Sequence, residues 1–131
     1  MAAFRHTYPR GAMLHHVTLE ITRADLARAI EFFTLVGFAE VPEPEPLRGV
    51  ARWLERDGTQ IHLLFSEQPV VPPIGHVALV APDFEETLER LRAAGYAVER
   101  KRELWGQPRA GAIAPGGHRV ELMAAPPAPA R

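Results

Sequence analysis

The stretch HVTLEITRADLARAIEFFTLVGF, residues 16–38, decides the fold because a second stretch, HVALVAPDFEETLERLRAAGY, residues 76–96, repeats it. The two align once a two-residue insertion after the opening segment is allowed. An aspartate then precedes a glycine by twelve residues in both copies, Asp25 and Gly37 in the first and Asp83 and Gly95 in the second. A repeat of this size predicts a fold built from two copies of one supersecondary unit.

Each copy combines a strand pattern with a helix pattern. Val17, Leu19 and Ile21 alternate with polar residues, which is typical of a strand that has one face against a helix. Apolar residues then recur at helical spacing. Asp25 suits a helix N-terminus, where a carboxylate can accept backbone N–H bonds, and Gly37 suits the left-handed position that ends a helix.

Shorter strands follow each predicted helix. They cover residues 38–41, 50–55 and 60–65 in the first half, and residues 97–100, 110–113 and 119–123 in the second half. The last hairpins also correspond, because DGTQIHLL and GGHRVELM superpose with His62 opposite Glu121. We therefore predict one α+β domain, residues 1–131. It divides into modules 14–65 and 75–124, a proline-rich linker 66–74 and a flexible tail 125–131.

Composition restricts the classes of partner. The 15 basic and 16 acidic residues are scattered and give a formal charge of -1, so neither a nucleic-acid surface nor a membrane-binding patch is indicated. The absence of cysteine excludes disulfides, thiolate metal ligands and a cysteine nucleophile. No signal peptide and no segment of the ~18 apolar residues that span a bilayer is recognisable. Small-molecule chemistry or contact with another protein remains, and we expect a soluble cytoplasmic protein.

The repeat predicts a metal site. His16 matches His76 at the start of the first strand of each half, and His62 matches Glu121 in the last strand. The intervals are nearly equal, with 46 residues from His16 to His62 and 45 from His76 to Glu121. Strand alternation turns all four side chains away from the helices. Imidazole and carboxylate together suit a divalent zinc, nickel, iron(II), manganese or cobalt ion.

A single histidine is more often a core or surface residue than a ligand, so the prediction depends on the coincidence of four positions. The other histidines are not predicted as ligands. His6 lies in the N-terminal segment, His15 lies on the opposite face from His16, and His118 lies in a hairpin turn. A carboxylate such as Glu121 between Val120 and Leu122 is costly to bury unless it is paired or binds a metal.

The HHV opening, the GHVAL restart and the GGHRVEL ending resemble the vicinal oxygen chelate superfamily, which includes glyoxalase I, epimerases, extradiol dioxygenases and bleomycin-resistance proteins. The resemblance covers residues 15–123. It implies two βαβββ modules that form a U-shaped, partly open mixed β-sheet around one divalent metal, and a homodimer. Ala114 and Gly116 replace the two aspartates of the family's final turn.

The resemblance places His16, His76 and Glu121 on the family's two-histidine, one-carboxylate ligand set. His62 occupies the fourth position, where glyoxalase I has glutamate and many epimerases have glutamine. With histidine there, only Glu121 could serve as a carboxylate base, so glyoxalase I activity is not favoured. Whether one site is built within a chain or across two chains is left open by the sequence.

Three functions are compatible with this pattern. The first is a metal-dependent lyase, isomerase, epimerase or dioxygenase that holds its substrate through two neighbouring oxygens, with Glu121 as the catalytic residue. The second is a bleomycin-resistance-like protein that sequesters a small molecule without turnover, and the third is a dimeric scaffold. Candidate substrate contacts are arginines, which bind anions, and tryptophans, which offer flat apolar walls: Arg52, Trp53, Trp105 and Arg109.

Overall fold

The structure is a computed structural model that describes residues 13–128. Its elements run in the order β1 (His16–Ile21), α1 (Leu26–Leu35), β2 (Ala39–Val41), β3 (Ala51–Arg56), β4 (Thr59–Phe65), β5 (Val77–Val80), α2 (Phe84–Ala93), β6 (Val98–Lys101), β7 (Arg109–Ile113) and β8 (Arg119–Met123). The prediction of two βαβββ modules is confirmed. His6 and the last three residues of the predicted tail lie outside the described residues.

The strands form two four-stranded sheets with the same topology. The first has the order β1-β4-β3-β2 and the second the order β5-β8-β7-β6. In each sheet the opening strand pairs parallel with the last strand, and the remaining neighbours are antiparallel. The parallel pair requires a crossover, which the helix of each module supplies. Strand β1, like β5, therefore lies at the edge of its sheet.

The helices cover one face of each sheet, and one continuous core forms between them. Helix α1 buries Phe32 and Phe33, and helix α2 buries Leu88 and Leu91. Leu54, Ile61 and further strand residues pack into the same cluster. Because these side chains leave the opposite sheet faces free of core residues, the polar members of β1, β4, β5 and β8 are available for a site.

The helix ends follow the sequence prediction in position but only partly in bonding. Gly37 and Gly95 adopt positive φ angles of 103° and 91° directly after the helices, as predicted. Asp25 and Asp83 occupy the N-cap positions, yet neither side chain makes a capping hydrogen bond. Asp25 accepts a hydrogen bond from the Thr22 hydroxyl instead. The expected capping bonds are therefore absent, because these carboxylates bind neighbouring side chains.

Two hydrogen bonds between the modules show how their edge strands, β1 and β5, are arranged. The His118 ring, before β8, has Nε2 2.7 Å from the carbonyl oxygen of Glu20 near the end of β1. Arg56, at the end of β3, donates from Nη1 to the carbonyl oxygen of Val80 at the end of β5, at 2.8 Å. Strands β1 and β5 consequently face each other with opposite directions across the seam between the modules.

Among the described residues, no helix has both the length and the apolar character required to cross a membrane.

Candidate metal centre

The site on the first module begins with a row of residues across three strands. Thr18 on β1, His62 on β4 and Trp53 on β3 are register partners, so their side chains share the sheet face opposite the helix. The indole ring of Trp53 stacks on the imidazole of His62 with centroids 4.0 Å apart and planes 2° from parallel. The ring of His16 covers the other side of His62, with centroids 3.9 Å apart. His62 is therefore fixed between two rings.

A hydrogen-bonded chain behind His62 sets the position of its proton. The side-chain oxygen of Gln60 lies 2.6 Å from Nε2 of His62, and the side-chain nitrogen of Gln60 donates to Oε1 of Glu55 at 2.9 Å. Since the Glu55 carboxylate can only accept, the amide nitrogen must face it and the amide oxygen must face His62. Nε2 of His62 then carries the hydrogen, and Nδ1 keeps the lone pair.

The protonation of His62 agrees with that arrangement. Burial of the ring, followed by the electrostatic effects of His16 and His15, lowers the pKa of His62 from 6.5 to about 4. The ring is therefore neutral at pH 7, and a neutral imidazole is the form that can bind a metal ion.

His15 belongs to this group, which corrects the sequence-based placement. Nitrogens of His15, His16 and His62 all lie within 4.8 Å of one another. Nδ1 of His15 is 3.0 Å from Nδ1 of His16. Strand alternation did not predict the position of His15, because β1 begins at His16. The side chain of the residue before a strand does not have to point to the opposite face. The backbone carbonyl of His15 accepts from the Gln60 N–H at 2.8 Å, which holds it beside β4.

The second module carries the other two predicted ligands. Nδ1 of His76 is 3.0 Å from the carbonyl oxygen of Ile74, which can only accept, so Nδ1 carries a hydrogen. Nε2 of His76 lies 3.4 Å from Oε1 of Glu121. The same carboxylate oxygen accepts from Nη1 of Arg109 at 3.2 Å, and both side chains of that pair are mostly buried.

These residues line a cavity of about 670 Å³ on the face of the second sheet. Its floor is Gly111, the register partner of Glu121, and its walls include the basic side chains of Lys101, Arg109 and Arg119. A concave site with convergent charged groups is typical of a small-molecule site. Lys101 pairs with Glu99 at 3.5 Å and Arg109 with Glu121 at 3.2 Å, and ammonium and guanidinium groups of this kind can also bind negative oxygens of a ligand.

The structure brings the four predicted ligands together in two pairs. His16 lies against His62 and His76 against Glu121, but the described part of a single chain contains no group that unites all four. The two pairs are separated along strand β1. His76, at the start of β5, lies beside Glu20 near the end of β1. Glu20 is four residues from His16, which is about 13 Å along a strand, so His76 is far from His16.

The predicted substrate contacts are placed differently from one another. Arg109 lines the cavity, and Trp53 lies on the site face against His62. Arg52 lies on the opposite face of β3, where it pairs with Glu40 at 3.4 Å, and this placement does not support a substrate contact. Trp105 donates from its indole nitrogen to the carbonyl oxygen of Ala125.

Sequence reasoning missed two members of the site, His15 and Gln60. The side chain of Gln60 is almost fully buried, with 2% of its surface exposed. A polar residue two positions before His62 on the same strand shares its face, and that spacing was the available signal.

Residues 13–122 match the sequence pattern of the Glyoxalase/Bleomycin resistance protein/Dioxygenase superfamily, which is most of the chain. No curated protein matches the chain in sequence.

Solved structures share the fold. A glyoxalase family protein from Bacillus anthracis is 22% identical with a TM-score of 0.77, covering 86% of this chain and 93% of that chain. The oxidase ChaP-H2 is 21% identical with a TM-score of 0.72, and the match covers 89% of this chain and 96% of that chain. A mutant of the fosfomycin resistance protein FosX from Listeria monocytogenes, complexed with Mn(II) and 1S,2S-dihydroxypropylphosphonic acid, is 17% identical with a TM-score of 0.69, covering 88% and 94%.

Proposed function

Because the chain belongs to the Glyoxalase/Bleomycin resistance protein/Dioxygenase superfamily, we propose that it is a metal-dependent enzyme whose small-molecule substrate presents two neighbouring oxygens. One observation carries the proposal. In each module a histidine has one ring nitrogen tied to an outer acceptor, Gln60 for His62 and Ile74 for His76, which leaves the other nitrogen as a lone-pair donor. Outer partners of this kind orient histidine ligands in metal sites.

The residues present fit a divalent ion. His16 and His62 offer two imidazoles, and His76 with Glu121 offers an imidazole and a carboxylate, which are donors for zinc, nickel, iron(II), manganese or cobalt. Such an ion, when bound, would act as a Lewis acid that polarises oxygens of the substrate.

The chain's own residues would supply binding and proton transfer. Oε1 of Glu121 lies at the cavity wall and is the group positioned to take a proton from the substrate carbon beside the polarised oxygens. Arg109 donates to that carboxylate at 3.2 Å and offers, with Lys101 and Arg119, positive charge for an anionic substrate group. We therefore favour proton-transfer chemistry, that of a lyase, isomerase or epimerase. The dioxygenase alternative requires iron(II).

We also propose that the complete site forms between two copies of the chain in a cytoplasmic homodimer. His16 and His76 lie toward opposite ends of the seam within one chain, so a second copy is needed to set one pair of ligands against the other. A closed two-fold dimer would create two equivalent sites from such complementary halves. Strands β1 and β5 at the sheet edges offer backbone groups for this contact.

Metal content tests the proposal directly. Protein purified without chelator should hold about one divalent ion per chain, and Glu121→Ala should lower that content. Substoichiometric metal in both proteins would overturn the proposal. Titration of the cobalt(II) form with oxalate, a dianion with two neighbouring oxygens, should change its visible spectrum if the site accepts such ligands.

Mixing variants tests the shared site. A protein lacking His16 and His62 and a second protein lacking His76 and Glu121 should regain one complete four-ligand site per mixed dimer. If the site were built within one chain, mixing would restore none. Each variant alone serves as the matched control.

Sequestration without turnover is the second candidate, and one contact favours it. The Arg109 guanidinium already pairs with Glu121 at 3.2 Å, so this carboxylate has a protein partner before any substrate binds. Deuterium exchange at the acidic carbon of small α-hydroxy ketones, such as dihydroxyacetone, separates the two functions. Exchange that is lost in Glu121→Gln supports the enzyme. Tight oxalate binding with no exchange across a panel of such compounds supports sequestration.

A further inference from the structure

We infer that His15, His16 and His62 form a three-imidazole metal site within a single chain, which holds a divalent ion before any second copy contributes. This inference extends the proposed function, because it shares His16 and His62 with it, but it does not depend on His76 or Glu121. The geometric basis is that one nitrogen from each of the three rings lies within 4.8 Å of the others.

The backbone holds His15 beside the first sheet. Its carbonyl oxygen accepts from the Gln60 N–H, so the residue is anchored beside the strand that carries His62. Its ring centroid is 6.2 Å from that of His62, with an interplanar angle of 77°. The ring of His15 therefore approaches His62 from a different direction than the ring of His16 does. Ligands of one metal ion must approach it from different directions.

The facing nitrogens of His15 and His16 also indicate a cation site. Their Nδ1 atoms are 3.0 Å apart, and only one of the two can donate the hydrogen of that contact. A divalent ion replaces this single bond with coordination of both lone pairs. Three histidines with a fourth, open position form a known type of catalytic zinc site.

Binding requires one rearrangement. The rings of His16 and His62 are within 16° of parallel, so their in-plane lone pairs do not meet at one point. His62 is buried between Trp53 and His16, whereas the His16 side chain is exposed to solvent on its outer side. The ion is therefore bound when His16 turns out of the stack toward Nδ1 of His62.

The donor set limits the identity of the ion. Three neutral nitrogen donors with no carboxylate among them suit zinc, nickel and copper(II) better than magnesium, calcium or manganese, which prefer oxygen. The single-chain site should therefore take zinc in preference to manganese. Addition of Glu121 from a second copy would shift this preference toward harder ions.

The test uses zinc and the double variant His76→Ala, Glu121→Ala in the full chain. We expect this variant to bind about one zinc per chain, more weakly than wild type, with three imidazoles detected by X-ray absorption at the zinc edge. Adding His15→Ala should lower its zinc affinity beyond the about 10–100-fold typical of outer-shell changes. Leu14→Ala, which removes an exposed neighbour without ligand atoms, is the matched control. Circular dichroism confirms that each variant is folded.

The outcomes separate this inference from the proposed function. Zinc binding by wild type but not by the double variant overturns the single-chain site and leaves the proposed function standing. Equal binding by both proteins supports the single-chain site and removes His76 and Glu121 from the metal. No binding by either protein overturns both. Binding by the double variant that His15→Ala does not affect also overturns the three-imidazole site.

Discussion

Trp53 and His62 lie face to face, with ring planes 2° from parallel and centroids 4.0 Å apart. The two residues are register partners on β3 and β4, so the stack follows from the pairing of the hairpin that joins these strands. His62 is thereby held in one orientation before any ligand binds.

Replacing the indole should loosen His62 without removing a ligand. Trp53→Leu is expected to weaken zinc binding roughly two- to tenfold, since an aromatic stack contributes about 0.5–1.5 kcal/mol beyond area burial. Competition with a chromophoric chelator measures the affinity. Trp53→Phe keeps an aromatic face and should retain most of the zinc affinity. Equal loss in both variants would mean that the stack does not position His62.

Gln60 should determine which nitrogen of His62 carries the hydrogen. Two-bond ¹H–¹⁵N correlation spectra of the metal-free protein are expected to show the Nε2–H form, because the Gln60 oxygen accepts from that nitrogen. Gln60→Met removes the acceptor and should lower zinc affinity by about 10–100-fold. Glu55→Gln, which can still accept from Gln60, is the milder control. An Nδ1–H form in wild type would contradict the assignment.

The hydroxyl of Tyr96 should stabilise the contact between the two helices. It lies 2.9 Å from the carbonyl oxygen of Arg28 and 2.7 Å from Oε1 of Glu31, and it shares its hydrogen between these acceptors. Tyr96→Phe is expected to lower the free energy of unfolding by about 1–2 kcal/mol at pH 7. Urea denaturation followed by circular dichroism measures the change. An unchanged midpoint would show that this bond contributes nothing.

The Tyr96 contribution should disappear in alkaline solution. Burial, followed by the hydrogen bond to Glu31, raises the pKa of Tyr96 from 10.0 to about 12. The unfolded chain therefore loses this proton at lower pH than the folded chain. The stabilisation is complete below pH 10 and falls as the pH rises from 10 to 12. The stability difference between wild type and Tyr96→Phe should narrow across that range, and a constant difference would contradict the shift.

His118 should couple the two modules. Its ring is 4% exposed, and Nε2 donates to the carbonyl oxygen of Glu20 across the seam. His118→Ala is expected to lower the free energy of unfolding by about 1–3 kcal/mol, because the part-buried carbonyl of Glu20 loses its hydrogen-bond donor. Denaturation followed by tryptophan fluorescence and by circular dichroism measures this cost. His118→Gln, whose amide nitrogen can replace Nε2, should be less destabilised. Similar losses in both variants would argue against the hydrogen bond.

Much of the fold could be predicted because the deciding patterns are local. The alternation of Val17, Leu19 and Ile21 places the helix-facing side of β1, and Gly37 ends α1 in the left-handed conformation that glycine adopts without strain. The absence of capping hydrogen bonds from Asp25 and Asp83 was not predictable in the same way. Their carboxylates can bind backbone N–H groups or side chains with similar strength, and in the structure they bind side chains.

The candidate site was predictable residue by residue but not as a whole. The repeat indicated His16, His62, His76 and Glu121 because equivalent positions in two copies share a sheet face. His15 was not predicted because it precedes the strand, where the alternation of side chains no longer applies. Gln60 was not predicted because an amide side chain, by its residue type, rarely indicates a metal site. Arg52 was selected by type alone, and type does not reveal which face of β3 a residue occupies in a register set by the hairpin.

By itself, the sequence determined the two modules and the faces of their strands, because these follow from the internal repeat and from short-range periodicity. Only the tertiary structure decided how the modules meet. That arrangement depends on contacts such as His118 with Glu20, which are 98 residues apart, and on Arg56 with Val80. No local pattern encodes such contacts, since they depend on which edges and turns remain exposed once each module has packed its own core.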